Sequence, residues 1–366
     1  MARGKKVDKP FLIISVILIV FGFFIFSSAA LALLAKENSN YSNIAFSQTV
    51  FGLFAGTVVM IIASRLDAQV WKKSAFWLLL IAIILNILVL IPGIGFEHAG
   101  ARRWILLGGI SFQTSEILKL AFIIYFAAWV AGAKERMKTF RWGFLPLLIL
   151  FFILALLLLN QPDTDNFILI VFTGMAMFIV AGGKWRYVLT IVFTSILGLA
   201  LLAFMRPYVM QRIVTYLNTQ VDAQGASYQV QQSLIAVGSG GLFGRGFGQS
   251  VQKFTYLPEP IGDSVFAVAA EEFGFIGSVF LLLMFVLFAT RGIKIASETS
   301  NIFARLTVVG IVIMITSQAF VNIGAMLGVI PLSGITLPFV SHGGTSLFVT
   351  LLEVGIVLSV SKTRES

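Results

Sequence analysis

The amino-acid sequence predicts an all-α, polytopic integral membrane protein with about ten transmembrane helices and one large loop outside the membrane. Hydrophobic residues make up 58% of the 366 and charged residues only 11%, where a soluble domain carries about a quarter charged. The apolar residues fall in ten runs separated by mostly short polar stretches, the pattern of membrane-crossing helices. The net charge of +10 is scattered through those polar stretches. That distribution speaks for orientation and lipid-headgroup contact and against a nucleic-acid partner. There is no cysteine, so disulfides and thiolate metal sites are excluded, and His98 and His342 are too few for an imidazole zinc site.

The first span follows a basic N-terminus and runs from Phe11 to Leu34, too long for the core of a signal peptide. Further spans are expected at 44–64, 74–95, 114–133, 144–159, 167–181, 187–205, 264–290, 303–326 and 345–361. The short fifth and sixth meet at Asn160–Asn166. Lys and Arg number 18 in the loops on the N-terminal side and 7 on the other, with Lys119 inside a span. This asymmetry puts both termini in the cytoplasm of a multi-pass plasma-membrane protein. It puts the 57-residue loop 206–262 outside, with His98, Asp163, Asp263 and His342. Within that loop Met210, Ile213, Val214 and Leu217 share one helical face, as in an interfacial helix. Residues 1–366 form a single membrane domain without an internal repeat, which weakens an inverted-repeat transporter reading.

Several polar groups stand out against this background. Glu116 and Lys119 share a face of the fourth span, where ionisable groups mark either function or a structural pair. Arg102 and Arg103 lie outside, where they can hold phosphate oxygens or anchor to headgroups. Asp163 follows Gln161-Pro162 at a turn and suits a cap on the next helix. The glycine-rich stretch Gly238–Gly248 fits no nucleotide-binding pattern and reads as a docking turn, with Arg245 as its chemical group. Glu271 and Glu272 lie about 12 Å along the helix from Asp263, too far to share its reaction centre. They read as helix-packing or gating contacts, and His342 reads as structural. Lys253–Asp263 packs Lys253, Glu259, Asp263 and two prolines before a long apolar run. On local features Asp263 suits a helix cap as well as a base, and a helix N-terminus would weaken it as a base.

Taken in order, these motifs resemble the SEDS family of peptidoglycan polymerases, which includes FtsW and RodA. The carriers are Ala101-Arg102-Arg103-Trp104-Ile105, Gln113–Lys119, Gln161-Pro162-Asp163, Tyr228–Ser233, Gly238–Gly241, Lys253–Asp263 and Leu337–Gly344. The phrase Tyr256-Leu257-Pro258-Glu259-Pro260 is similar to the division and sporulation branch rather than the elongation branch. Two positions depart from the family: Gly262-Asp263-Ser264 where Thr-Asp-Phe is usual, and His342 where Ser-Tyr-Gly-Gly is usual.

The resemblance implies a glycosyltransferase that polymerises lipid II at the outer face of the plasma membrane. Asp263 falls on the catalytic position. Expected substrate-binding groups are Arg102, Arg103, Glu116, Lys119, Arg212, Arg245, Lys253 and Glu259. Implied partners are lipid II, a class B penicillin-binding protein and other division or elongation machinery. A divalent cation, Mg or Mn, could share the counter-charge, with Asp163 and Glu116 as conceivable ligands, and no nucleotide or organic cofactor is expected. The rival readings are a lipid II flippase and a non-catalytic division scaffold.

Overall fold

The computed structural model describes residues 6–34, 41–98, 101–107, 110–205, 207–217 and 226–363. Parts of the expected outer loop, residue 206 and residues 218–225, lie outside that set. The chain begins with α1 (Lys9–Leu34). α2 (Tyr41–Phe46) continues through a π-helical stretch (Ser47–Ala55) into α3 (Gly56–Arg65). Next come α4 (Ala68–Val89), α5 (Thr114–Ala133), α6 (Leu145–Asn160), α7 (Thr164–Val180) and α8 (Trp185–Met205). Among the described residues nine helical segments are long and apolar enough to cross a membrane, and α7, at 17 residues, corresponds to the sixth of the ten expected spans.

The expected third span is displaced toward the N-terminus. α4 starts at Ala68 because Asp67 caps it, its carboxylate accepting from the Gln69 N–H at 2.8 Å. The residues after α4 form an antiparallel sheet, β1 (Gly95–His98), β2 (Ala101–Leu107) and β3 (Ile110–Gln113), in the order β1-β2-β3. This sheet lies outside the expected all-α architecture. Aromatic and β-branched residues interrupted by Ala99-Gly100 and Gly108-Gly109 are the signal that would have found it.

The long loop between α8 and α12 contributes α9 (Pro207–Leu217), which includes the expected amphipathic stretch, then α10 (Ala226–Ser239) and α11 (Gln252–Thr255). The C-terminal part is α12 (Val265–Ser297), α13 (Ile302–Met326) and α14 (Gly344–Ser361). α13 and α14 are the most buried spans and form the centre of the bundle, with α5 packed against both.

α12 is broken at Gly274, whose backbone is non-helical (φ 66°, ψ −163°). A broken helix in a membrane leaves backbone groups that must find partners. The glycine-rich turn provides them. Arg245 and Gly246 N–H groups donate to the carbonyls of Glu271 and Glu272, both at 3.0 Å. Phe275 and Ile276 N–H groups donate to the carbonyls of Gly241 and Leu242 at 2.8 and 3.2 Å. A Cβ on Gly274 would lie 2.3 Å from the Gly244 nitrogen. Gly274→Ala therefore combines a strained φ, worth about 1–3 kcal/mol, with a backbone clash. We expect a clear drop in melting temperature in detergent; an unchanged melting temperature would contradict this account of the break.

Candidate active site

Asp263 lies between α11 and α12, just before the helix, and distant segments fix its backbone. Its carbonyl accepts from Asn322 Nδ2 at 2.9 Å, and the same amide nitrogen donates to Ile335 O at 2.8 Å. Ser341 Oγ donates to the Gly262 carbonyl at 2.8 Å, and the His342 N–H donates to the Ile261 carbonyl at 2.6 Å. Gln229 of α10 donates to Ser264 Oγ at 2.9 Å. Four residues from three parts of the chain, α10, α13 and the segment before α14, thus converge on residues 261–264.

The cap expected of Asp263 does not form. Ser264 is the N-cap residue of α12 and makes no side-chain cap. The Asp263 carboxylate accepts no hydrogen bond among the described residues. It is only partly accessible, and protein fills most of the space around it. Its pKa is pushed up from 3.8 to about 7, first by desolvation and then by the charges of Glu259 and Asp165. Arg103 and Arg212 act in the opposite direction. The carboxyl is therefore poised to exchange a proton near neutrality, as a general base must.

Gly334 is the point where these groups meet. A Cβ there would lie 3.8 Å from Asp263 Oδ2 and 3.9 Å from Arg103 Nη1. Its N–H donates to Asp165 Oδ2 at 3.2 Å, and Arg212 Nη1 holds the same oxygen at 2.8 Å. Arg103 is held in turn: its Nε donates to the Gln161 carbonyl at 3.2 Å and its Nη2 to the Pro162 carbonyl. Its Nη1 stands 3.8 Å from Asp163. Glu259 is exposed and in the left-handed region (φ 46°), with its carboxylate over Gly262. Two arginines and two aspartates thus surround a space that glycine leaves open.

The other expected binding residues lie apart from this cluster. Arg102 is on the β1–β2 hairpin, paired with exposed Glu97 at 2.8 Å. Arg245 pairs with Glu271 at the break in α12 (3.4 Å). Lys253 is a correction: it is 1% exposed, with its ammonium 2.7 Å from Glu272 and 2.8 Å from Ser28 Oγ. A cation already desolvated on a carboxylate is not open to a lipid phosphate. Glu271 accepts from the N–H groups of Val251 and Gln252 and from Ser250 Oγ. The two glutamates therefore act as the packing contacts expected of them.

Lys119 and Glu116 pair as expected (2.8 Å), buried beside Gln318 at 2.7 Å and within electrostatic reach of Glu353. They touch the Gly334 segment indirectly, because Gln318 Nε2 donates to the Thr336 carbonyl at 3.0 Å. Asp163 does not cap α7 through its side chain, and its two oxygens accept from Asn166 at 3.0 Å each. Asp163 and Glu116 each already face a cation, and among the described residues no group of three or more His, Asp or Glu could hold a metal ion. The donor set does not fit the expected divalent cation. His342 stacks on Phe26 with ring centroids 6.1 Å apart, and desolvation lowers its pKa to about 4, so the imidazole is neutral.

Sequence reasoning missed Asp165 as an arginine partner, along with Gln229, Gln318, Asn322, Gly334 and Ser341. Gln318 and Asn322 had a signal: two amides four apart on one face of an apolar span.

The chain is similar to known proteins over most of its length. A family model covering FtsW, RodA and SpoVE, described as "Cell cycle protein", matches residues 9–366. "Stage V sporulation protein E" of Bacillus subtilis is 41% identical over 312 residues, 85% of this chain and 85% of its own length. A "Probable peptidoglycan glycosyltransferase FtsW" of Geobacter sp. (strain M18) is 37% identical over 361 residues, covering 99% and 98%. Among solved structures, one described as "Structural coordination of polymerization and crosslinking by a peptidoglycan synthase complex" aligns with a TM-score of 0.80 at 28% identity over 98% of both chains. The rod shape determining protein RodA of Thermus thermophilus aligns with a TM-score of 0.69 at 27% identity, also over 98% of both.

Proposed function

The chain belongs to the FtsW/RodA/SpoVE family of cell cycle proteins, and from that premise we propose that it is a peptidoglycan glycosyltransferase with Asp263 as general base. Similarity to named glycosyltransferases over nearly the whole chain supports the activity. One observation carries the assignment of the base: a partly accessible carboxylate with a pKa near 7, between two arginines. The chain is a multi-pass membrane protein of the division or sporulation branch. Its substrate in this reading is lipid II, at the outer face, with both termini cytoplasmic as the Lys/Arg asymmetry argues.

In the reaction a sugar hydroxyl of one chain attacks the anomeric carbon of a lipid-pyrophosphate donor. Asp263 takes the hydroxyl proton as the new C–O bond forms. The bond to pyrophosphate breaks, and the pyrophosphate leaves with the electron pair. That leaving group is already a stable anion, so a second carboxyl acting as acid, as in glycosidases, is not required. What it requires is positive charge, and Arg103 and Arg212 stand beside Asp263 to supply it. The arginines, rather than a metal, carry the counter-charge in this reading. Chelating and restoring Mg²⁺ or Mn²⁺ in a polymerisation assay tests that division.

The test of the function is incubation of the purified protein with lipid II and separation of the products by size. Glycan polymer is expected. Movement of lipid II across a vesicle membrane without polymer would favour a flippase, and neither outcome, with or without its partner, would favour a scaffold. That partner, by analogy with the polymerising and crosslinking complex, is a class B penicillin-binding protein, so the assay is run alone and with it.

The geometry also separates the two neighbouring arginines. Arg103→Ala is expected to raise the KM for lipid II about tenfold or more, the loss of a charge-assisted contact. Arg102→Ala, on an exposed pair, should change it less than about twofold. Equal effects would refute the placement of Arg103 at the pyrophosphate.

A further inference from the structure

A cavity of about 50 Å³ opens between α9, α10 and residues 328–332. Arg212 is on its wall, and the guanidinium of that residue holds Asp165 and acts on Asp263. The cavity therefore shares Arg212 with the candidate active site. Val230, Ile330 and Leu332 make its lining apolar, and Thr215 and Ser227 add hydroxyls. Ser227 is 1% exposed, and its Oγ has no hydrogen-bond partner among the described residues. A buried hydroxyl without a partner is unfavourable and calls for an explanation, and a bound ligand group is one.

Size narrows the choice. One water needs about 10–15 Å³ of such volume, so the cavity is large enough for a small group of a few non-hydrogen atoms. An acetamido group has four: a methyl carbon, a carbonyl carbon, an oxygen and a nitrogen. Its methyl suits the apolar wall, and its amide suits a hydroxyl that can donate or accept. We propose that this cavity seats the 2-acetamido group of the donor hexosamine, with the methyl against Val230, Ile330 and Leu332 and the amide on Ser227. The acetamido-bearing carbon is next to the anomeric carbon. Seating it beside Arg212 turns the pyrophosphate toward the two arginines and the reacting carbon toward Asp263. The inference rests on the glycosyltransferase reading and gives that site its sugar specificity.

The test compares two lipid-linked disaccharide donors, one natural and one with the donor sugar's acetamido group replaced by hydroxyl. Wild-type protein, Ser227→Ala and Val230→Phe are assayed with both. For the natural donor Ser227→Ala should raise KM about three- to tenfold, the loss of one hydrogen bond. Val230→Phe, which fills the cavity, should raise it more than about tenfold. Neither variant should alter the KM for the hydroxyl donor. The melting temperature of Ser227→Ala should not fall, because the hydroxyl it removes has no partner in the protein, so that variant decides the matter if Val230→Phe misfolds. An unchanged KM for Ser227→Ala with the natural donor, or the same change with both donors, would overturn the acetamido seat while leaving the polymerase reading intact. No polymer from wild type with the natural donor, with or without the partner, would refute the polymerase reading itself.

Discussion

Asp263→Asn abolishes glycan polymerisation and leaves a folded protein: this is the largest effect on activity that the site leads us to expect. An amide cannot accept the hydroxyl proton, and loss of a positioned base typically costs about 10²–10⁴ in rate. The substitution also has a signature in stability. Asp263 titrates at about 7 in the folded protein, against 3.8 in its ordinary state. Its favourable contribution is thus complete below about 3.8 and is lost as pH rises through about 7. Above that pH the folded protein carries a desolvated carboxylate that the variant lacks. Asp263→Asn should therefore be more stable than wild type at pH 8, by roughly 1–4 kcal/mol, and the difference should shrink as pH falls toward 4. Thermal unfolding in detergent at several pH values measures it. Wild-type kcat/KM should rise with pH about an apparent pKa of about 7 and then level off. Polymer from the purified variant, or a rate indifferent to pH between 6 and 8, would end the assignment.

This coupling of activity to a destabilising charge explains why the local sequence was ambiguous. A carboxylate before an apolar run has the features of a helix cap, and nothing within ten residues of Asp263 distinguishes a cap from a base. The distinction lies in what surrounds it: Arg103, Asp165, Arg212 and the Gly334 segment, each brought from another part of the chain. Such long-range proximity is not written in periodicity or spacing. Only the resemblance of the whole chain singled out Asp263. The spans, by contrast, were legible, because a bilayer allows few ways to satisfy the backbone and an apolar run announces its own helix. Legibility failed where the chain leaves the hydrocarbon. The start of α4 depends on the Asp67 cap, and the hairpin of β1–β3 has strands of only four to seven residues. Of six cations expected near the donor, the fold places Arg103 and Arg212 beside Asp263. Each of the other four has an acidic partner elsewhere.

The second large effect concerns one of those four, Lys253. The Lys253–Glu272 pair is almost fully enclosed, with side chains 0% and 1% exposed, and Ser28 of α1 holds both charges. Removing one partner of such a pair leaves the other charged and desolvated, at a cost of about 3–5 kcal/mol. Lys253→Met should thus lower the melting temperature sharply. Lys253→Met combined with Glu272→Leu should recover most of the loss, because exchanging a whole buried pair for apolar residues is often neutral. The activity of the double variant decides what the lysine is for. Lys253 opens the segment that carries Asp263, and its pair fastens that segment to α1 and α12. If its role is to hold this segment, polymerisation returns with stability in the double variant. If instead Lys253 binds the donor phosphate, Lys253→Met alone would stay as stable as wild type, and KM for lipid II would rise in the single and double variants alike. The buried geometry commits us to the first result: Lys253 is a positive charge that serves the fold, held on Glu272 and Ser28.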